Sequence, residues 1–239
     1  MRFTAEQSSN GVVERDFTVE ETPGVLWSRE STPGPLVLMG HGGGQHKKSP
    51  AMTGRARLLV AAGFTVATID APGHGPRPLT PTDERERAEL SRTMAANEPV
   101  GPIVVRYNAD IARRAVPEWQ AVLDALQTLP EIRGPVGYFG LNMATAIGIP
   151  LVAKDRRIAA AVFGQFWSDP LTETARHIEI PIEFTMQWDD EHIPRESALA
   201  LFDAFASKEK TLHANAGKHK ELPRFEAASA VHFFTRHLS

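Results

Sequence analysis

The chain has 239 residues and no cysteine. That absence excludes disulfides, thiol catalysis and cysteine-bound metal, and it is compatible with a reducing compartment. Charge of one sign is also missing: 26 Lys and Arg against 29 Asp and Glu give a net charge of -3. A nearly balanced surface leaves no basic footprint for nucleic acid, and no run of like charge forms a polyelectrolyte tail. No stretch approaches the ~18 apolar residues of a membrane span. The start, Met1 to Gln7, lacks the apolar core of a secretory signal. The expectation is a soluble cytoplasmic protein whose partner is a small molecule, with neither nucleic acid nor membrane involved. What is present is a large core supply, 42% hydrophobic against 23% charged residues. The length suits one α/β domain over 1–239.

Residues 12–29 alternate polar and apolar positions around Thr22-Pro23-Gly24, which predicts an antiparallel hairpin turning there. A short continuous apolar run follows at 35–40, as in a strand buried on both faces, and further strands read at 64–69, 136–139, 158–163 and 182–187. Between them, 54–62, 105–129 and 196–205 carry helical periodicity, with Pro117 predicting a kink or a helix start. A short strand at 211–213 and a helix at 223–238 close the chain. Alternating strands and helices predict a mostly parallel, twisted sheet covered on both faces. Residues 76–104 break this rhythm with prolines and a charged stretch. They read as a partly helical excursion, a small lid or equally a solvated surface helix with its loops.

In open α/β sheets ligands bind at the carboxyl ends of the strands, so the residues just after each strand carry the chemistry. The first such stretch is His41-Gly42-Gly43-Gly44. Glycines there leave backbone N–H groups free to face a developing oxyanion. Gly43 N–H is the expected donor from this loop. Asp70-Ala71-Pro72-Gly73-His74-Gly75 is a tight turn whose acid serves local backbone before chemistry. The third is Gly140-Leu141-Asn142-Met143-Ala144. It has the shape of a nucleophile elbow, in which a strained strand-to-helix turn lifts one side chain clear of the sheet. Met143 N–H, just after the lifted residue, is the expected second oxyanion donor. Where the elbow serine should stand there is Asn142, which accepts left-handed backbone angles but has no proton a histidine can remove. After the 182–187 strand come Asp189 and Asp190, either an orienting acid or an N-cap cluster. His219 lies on a loop before the last helix.

Together these five motifs, in this order and over nearly the whole chain, resemble the α/β-hydrolase superfamily, in its small-esterase or dienelactone-hydrolase-like branch. That resemblance implies Asp190, four residues before Pro194, as the triad acid, with Asp189 as the fallback. It implies His219 as the general base. Dienelactone hydrolases use a cysteine nucleophile, so the esterase branch fits better. The departure, Asn142, leaves three readings: an engineered inactive variant, a natural member that kept only the pocket as a ligand-binding protein, or a catalyst needing no covalent intermediate. The last would be a lyase, isomerase or cyclase using His219 as acid and base.

No cofactor or metal is called for. None of the nine histidines forms H-E-x-x-H, and the lysines after the glycine loop lack Walker spacing. His41, Phe166, Trp167 and Trp188 fall at strand ends and are expected to line a pocket for an apolar or aromatic group. No arginine can be placed clearly enough in the sequence to argue for a carboxylate.

Overall fold

A computed structural model describes residues 1–30 and 32–239. Nine strands form one sheet in the order β1-β2-β3-β5-β4-β6-β7-β8-β9. β1 (Arg2–Ser9), β2 (Val12–Val19) and β3 (Thr22–Arg29) form an antiparallel meander at one edge. The predicted hairpin is therefore displaced. Its turn falls at Glu20-Glu21, Thr22 to Gly24 belong to β3, and β1 was not anticipated. The missed signal was Asn10-Gly11, both at positive φ (53° and 74°), the dipeptide that best fits a two-residue hairpin turn.

The remaining strands run parallel to one another: β4 (Gly34–Met39), β5 (Thr65–Ile69), β6 (Ile132–Phe139), β7 (Ile158–Gly164), β8 (Ile182–Gln187) and β9 (Lys210–Asn215). All five residues of β5 and all six of β8 are buried, as strands covered on both faces must be. The helices α1 (Pro50–Ala61), α2 (Pro81–Ala95), α3 (Gly101–Leu126), α4 (Met143–Lys154), α5 (Thr172–Ala175), α6 (Arg195–Ala204) and α7 (Phe225–Leu238) connect them. α3 starts earlier than its apolar periodicity indicates, because Pro102 opens its first turn, where the missing N–H costs nothing. Pro117 lies inside the continuous helix.

From β4 the chain crosses to β5 on one side and later to β6 on the other. The loops leaving β4 and β6 therefore diverge and open a crevice at their carboxyl ends. His41 to Gly44 leave β4 there, and Gly140 to Asn142 leave β6.

α2 and the first turns of α3 occupy the excursion at 76–104. α2 has no apolar face to bury: its buried residues are Asp83 and Glu86. Ion pairs replace packing. Asp83 forms a capping box with Thr80 and meets Arg114 Nη2 at 2.6 Å, and Glu86 meets Arg106 at 2.6 Å. Burial alone would raise the Asp83 pKa, but Arg114 and the Thr80 hydroxyl and N–H together hold it well below the carboxylate range. A carboxyl with a depressed folded-state pKa contributes stability above its unfolded value and loses it as pH falls through the folded value. Asp83→Asn should therefore cost about 3 kcal/mol at pH 7, because it removes the buried charge that pairs with Arg114 and weakens the capping box with Thr80. The deficit, measured by urea unfolding, should narrow once the pH falls below about 4. A constant deficit from pH 7 to pH 3 would contradict the ionic account.

Candidate active site

The turn between β6 and α4 is strained at Asn142, the backbone that an elbow requires. Asn142 sits at φ 57°, ψ -125°, immediately before α4. Its N–H donates to Gly164 O at 3.1 Å, and its own carbonyl accepts from Thr145 N at 2.9 Å. Close packing explains the small residues around it. A Cβ on Gly140 would lie 2.6 Å from Ala144 O. Thr145 stitches the turn: its hydroxyl lies 2.8 Å from Gly140 O and 2.6 Å from Gly164 O, and it accepts from Gly164 N at 3.0 Å. A buried threonine spanning β6 and β7 was not legible as a site residue, since nothing in the sequence pairs it with Gly164.

Asn142 is half-buried and its amide is committed. Nδ2 donates to Gln165 Oε1 at 3.0 Å, and Gln165 Nε2 donates to the His219 carbonyl at 2.8 Å. The His219 carbonyl can only accept, so the orientation of both amides follows. Gln165 is itself buried and at φ 54°, a conformation that costs a non-glycine residue of order 1–3 kcal/mol and tends to mark functional sites. It ties the elbow to the loop carrying His219. The sequence offered no signal for it beyond its place just after β7.

His219 Nδ1 meets Asp190 Oδ2 at 2.7 Å. The other Asp190 oxygen accepts from the N–H groups of His192 and Ile193, each at 2.9 Å. Burial pushes the Asp190 pKa up, yet the His219 bond and these two N–H groups outweigh it and leave it below the ordinary value. An ionised Asp190 holds the imidazole with hydrogen on Nδ1 and leaves Nε2 as the basic nitrogen. Asp189 does not take this part. Its side chain is 62% exposed and faces Arg195 at 3.9 Å.

These groups meet in a cleft of about 750 Å³. Gly43, Asn142, Met143 and His219 all line it, together with Phe166, Trp167 and α2 and α3 residues such as Leu90, Met94 and Val104. A Cβ on Gly42 would fall 4.0 Å from Asn142 Cβ, so the glycine loop lies against the elbow. Gly43 N–H has no hydrogen-bond partner among the described residues. Met143 N–H opens α4, where no intrahelical acceptor exists and the helix dipole favours negative charge.

Two expected pocket residues lie elsewhere. His41 is 2% exposed and spends both ring nitrogens on backbone, Nδ1 on Gly42 O at 2.9 Å and Nε2 on Ala71 N at 3.1 Å. Burial pushes its pKa down to about 4. It braces the two rim loops and does not line the cleft. Trp188 stands on the outer surface, 42% exposed, with Arg195 3.9 Å from its ring centroid. Asp70 is fully buried against Lys47. His74 and His192 do line the cleft, and the His192 ring lies 5.4 Å from that of His219.

A separate trio of potential metal donors, Glu183, His213 and Glu226, lies within 4.8 Å of one another away from the cleft lining. There His213 Nδ1 meets Glu226 at 2.8 Å, pinning α7 to β9. No helix among the described residues is long and apolar enough to cross a membrane.

No protein-family model and no curated protein matches the sequence. Solved structures do. A cold-adapted esterase from an Arctic intertidal metagenomic library, in a PEG-bound complex, is 32% identical over 100% of both chains, with a TM-score of 0.80. A native structure under the same description is 29% identical over 100% of both, with a TM-score of 0.75. Acetyl xylan esterase 1 from a Thermoanaerobacterium species shares the fold at 14% identity, with 98% of this chain and 87% of that one covered and a TM-score of 0.74. The chain belongs to the esterases of the α/β-hydrolase superfamily.

Proposed function

We propose that this protein hydrolyses carboxylic esters without a covalent acyl-enzyme, by direct attack of a water that His219 deprotonates. One observation carries the reading. His219 is held by Asp190 at 2.7 Å, while the neighbouring elbow residue is an amide bonded to Gln165. The base is equipped and the nucleophile is not.

The ester carbonyl oxygen sits against the N–H groups of Gly43 and Met143, which stabilise negative charge as it develops. His219 Nε2 takes a proton from water as the water oxygen bonds to the carbonyl carbon. The tetrahedral intermediate then expels the alcohol, which receives that proton from Nε2, and the acid is released. Asp190 stabilises the imidazolium between these steps. Phe166, Trp167, Leu90 and Met94 hold an apolar or aromatic part of the substrate, with α2 as a cover. No cofactor enters the scheme.

The test is intact-protein mass spectrometry during steady-state turnover of p-nitrophenyl acetate. The expected result is continuous p-nitrophenol release with the protein at its unmodified mass throughout. An acetylated protein species that forms and decays with turnover would overturn the water mechanism. Binding of the ester with no turnover would leave a ligand-binding protein on an esterase fold.

A further inference from the structure

We propose that the cleft takes esters bearing a carboxylate group, and that Arg55 receives that group. The proposal rests on the reading of the cleft as an ester site and names the substrate class within it.

The charge of the cleft is unlike that of the chain. The whole protein is slightly acidic, yet its cleft lining holds three permanent cations, Arg55, Arg87 and Lys220, and no Asp or Glu. Arg87 is structurally engaged, with Nε donating to Tyr107 Oη at 3.1 Å and Nη2 to Gly73 O at 2.6 Å. Arg55 is different. It projects from the second turn of α1, beside the glycine loop, and its guanidinium carbon lies 5.3 Å from the Phe139 ring centroid. It has neither a hydrogen-bond acceptor nor an acidic partner among the described residues.

Three other partly buried arginines each have a carboxylate partner: Arg77 has Glu118, Arg114 has Asp83 and Arg157 has Asp155. Burial pushes the Arg55 pKa down with no opposing charge. A partly buried guanidinium without a counter-charge leaves its N–H donors free at the cleft, and an arriving carboxylate can take two of them in parallel N–H···O bonds. The 5.3 Å from the guanidinium carbon to the Phe139 centroid is a cation–π distance, a contact that leaves the N–H donors free.

The same lining also holds the apolar Leu90, Met94, Phe166 and Trp167. A fitting ligand thus has an apolar or aromatic part and a carboxylate, with the ester carbonyl between them at Gly43 and Met143.

The probes are 3-phenylpropanoate and its neutral isostere 3-phenylpropanamide, titrated calorimetrically into the native protein. The carboxylate should bind at least about tenfold tighter, and that preference should shrink as NaCl rises from about 20 to 300 mM. Arg55→Met should reduce the preference to within about twofold. Lys220→Met, on an exposed loop, should reduce it less and guards against a misfolded Arg55 variant. Equal affinity for the two probes, binding of neither, or a preference that survives in folded Arg55→Met would each overturn the proposal. Turnover is not needed for any of these readouts. A protein that prefers the carboxylate but hydrolyses no ester keeps this proposal and loses the hydrolytic one. Hydrolysis of neutral esters with equal affinity for both probes does the reverse.

Discussion

Asn142→Ser should raise kcat/KM for p-nitrophenyl butyrate by about 10³-fold or more, and it should introduce a burst of p-nitrophenol equal to the enzyme concentration. The size follows from what is already in place. Removing one member of a complete triad typically costs about 10⁴–10⁶ in rate, and the remainder comes from the oxyanion donors and binding. Here Gly43, Met143, Asp190 and His219 already share one cleft or one hydrogen bond, so the substitution supplies the one missing part. The backbone should tolerate it. The turn is held by Asn142 N to Gly164 O and Thr145 N to Asn142 O, bonds that do not depend on the side chain. Serine is less comfortable than asparagine at positive φ, and the amide bond to Gln165 Oε1 is lost. A stability loss of about 1–2 kcal/mol is expected. A folded Asn142→Ser protein with neither burst nor rate gain would mean that the elbow does not present its residue to His219, and the esterase geometry would fail as an account of this cleft.

The sheet was legible because buried parallel strands leave short apolar runs, as at β4 and β7, or a regular apolar alternation, as at β8. β8 was bounded to the residue, and the alternation with helices followed. The edge meander was less so: β1 is exposed along its whole length, so its sequence carries no burial pattern to read. α2 was equally opaque, since its buried side chains are Asp83 and Glu86 and its stability is ionic. In the site, motifs fixed to strand ends could be read because topology brings those ends together. Asp190, His219, Gly43 and Asn142 are of this kind. His41 and Trp188 were misplaced for one shared reason. A position just after a strand says that a residue is near the rim, but not which way its side chain turns, and both turn from the cleft. Gln165 and Arg55 were invisible for the converse reason. Each acts through a three-dimensional neighbour, the His219 carbonyl in one case and an unpaired place beside the glycine loop in the other, and neither leaves a spacing in the chain.

His219→Ala should lower kcat/KM for the same ester by about 10²–10⁴-fold, the range lost when a positioned general base is removed. His192 is the control that makes this result informative. Both imidazoles line the cleft, 5.4 Å apart between centroids, and either could reach a water there. They differ in support. His219 is anchored to buried Asp190 at 2.7 Å, whereas the acid nearest His192, exposed Glu191, stands 3.8 Å from its Nε2. An imidazole becomes an effective base when a carboxylate fixes its tautomer and stabilises the cation it becomes. His192→Ala should therefore cost less than about tenfold. The Asp190 carboxylate would keep its two backbone N–H donors in the His219 variant, so the loop should stay folded and the defect should fall on kcat. Should the two variants reverse, with His192→Ala the more damaging, proton transfer would belong to His192 and the Asp190–His219 pair would be a structural tie between the β8 loop and the segment before α7.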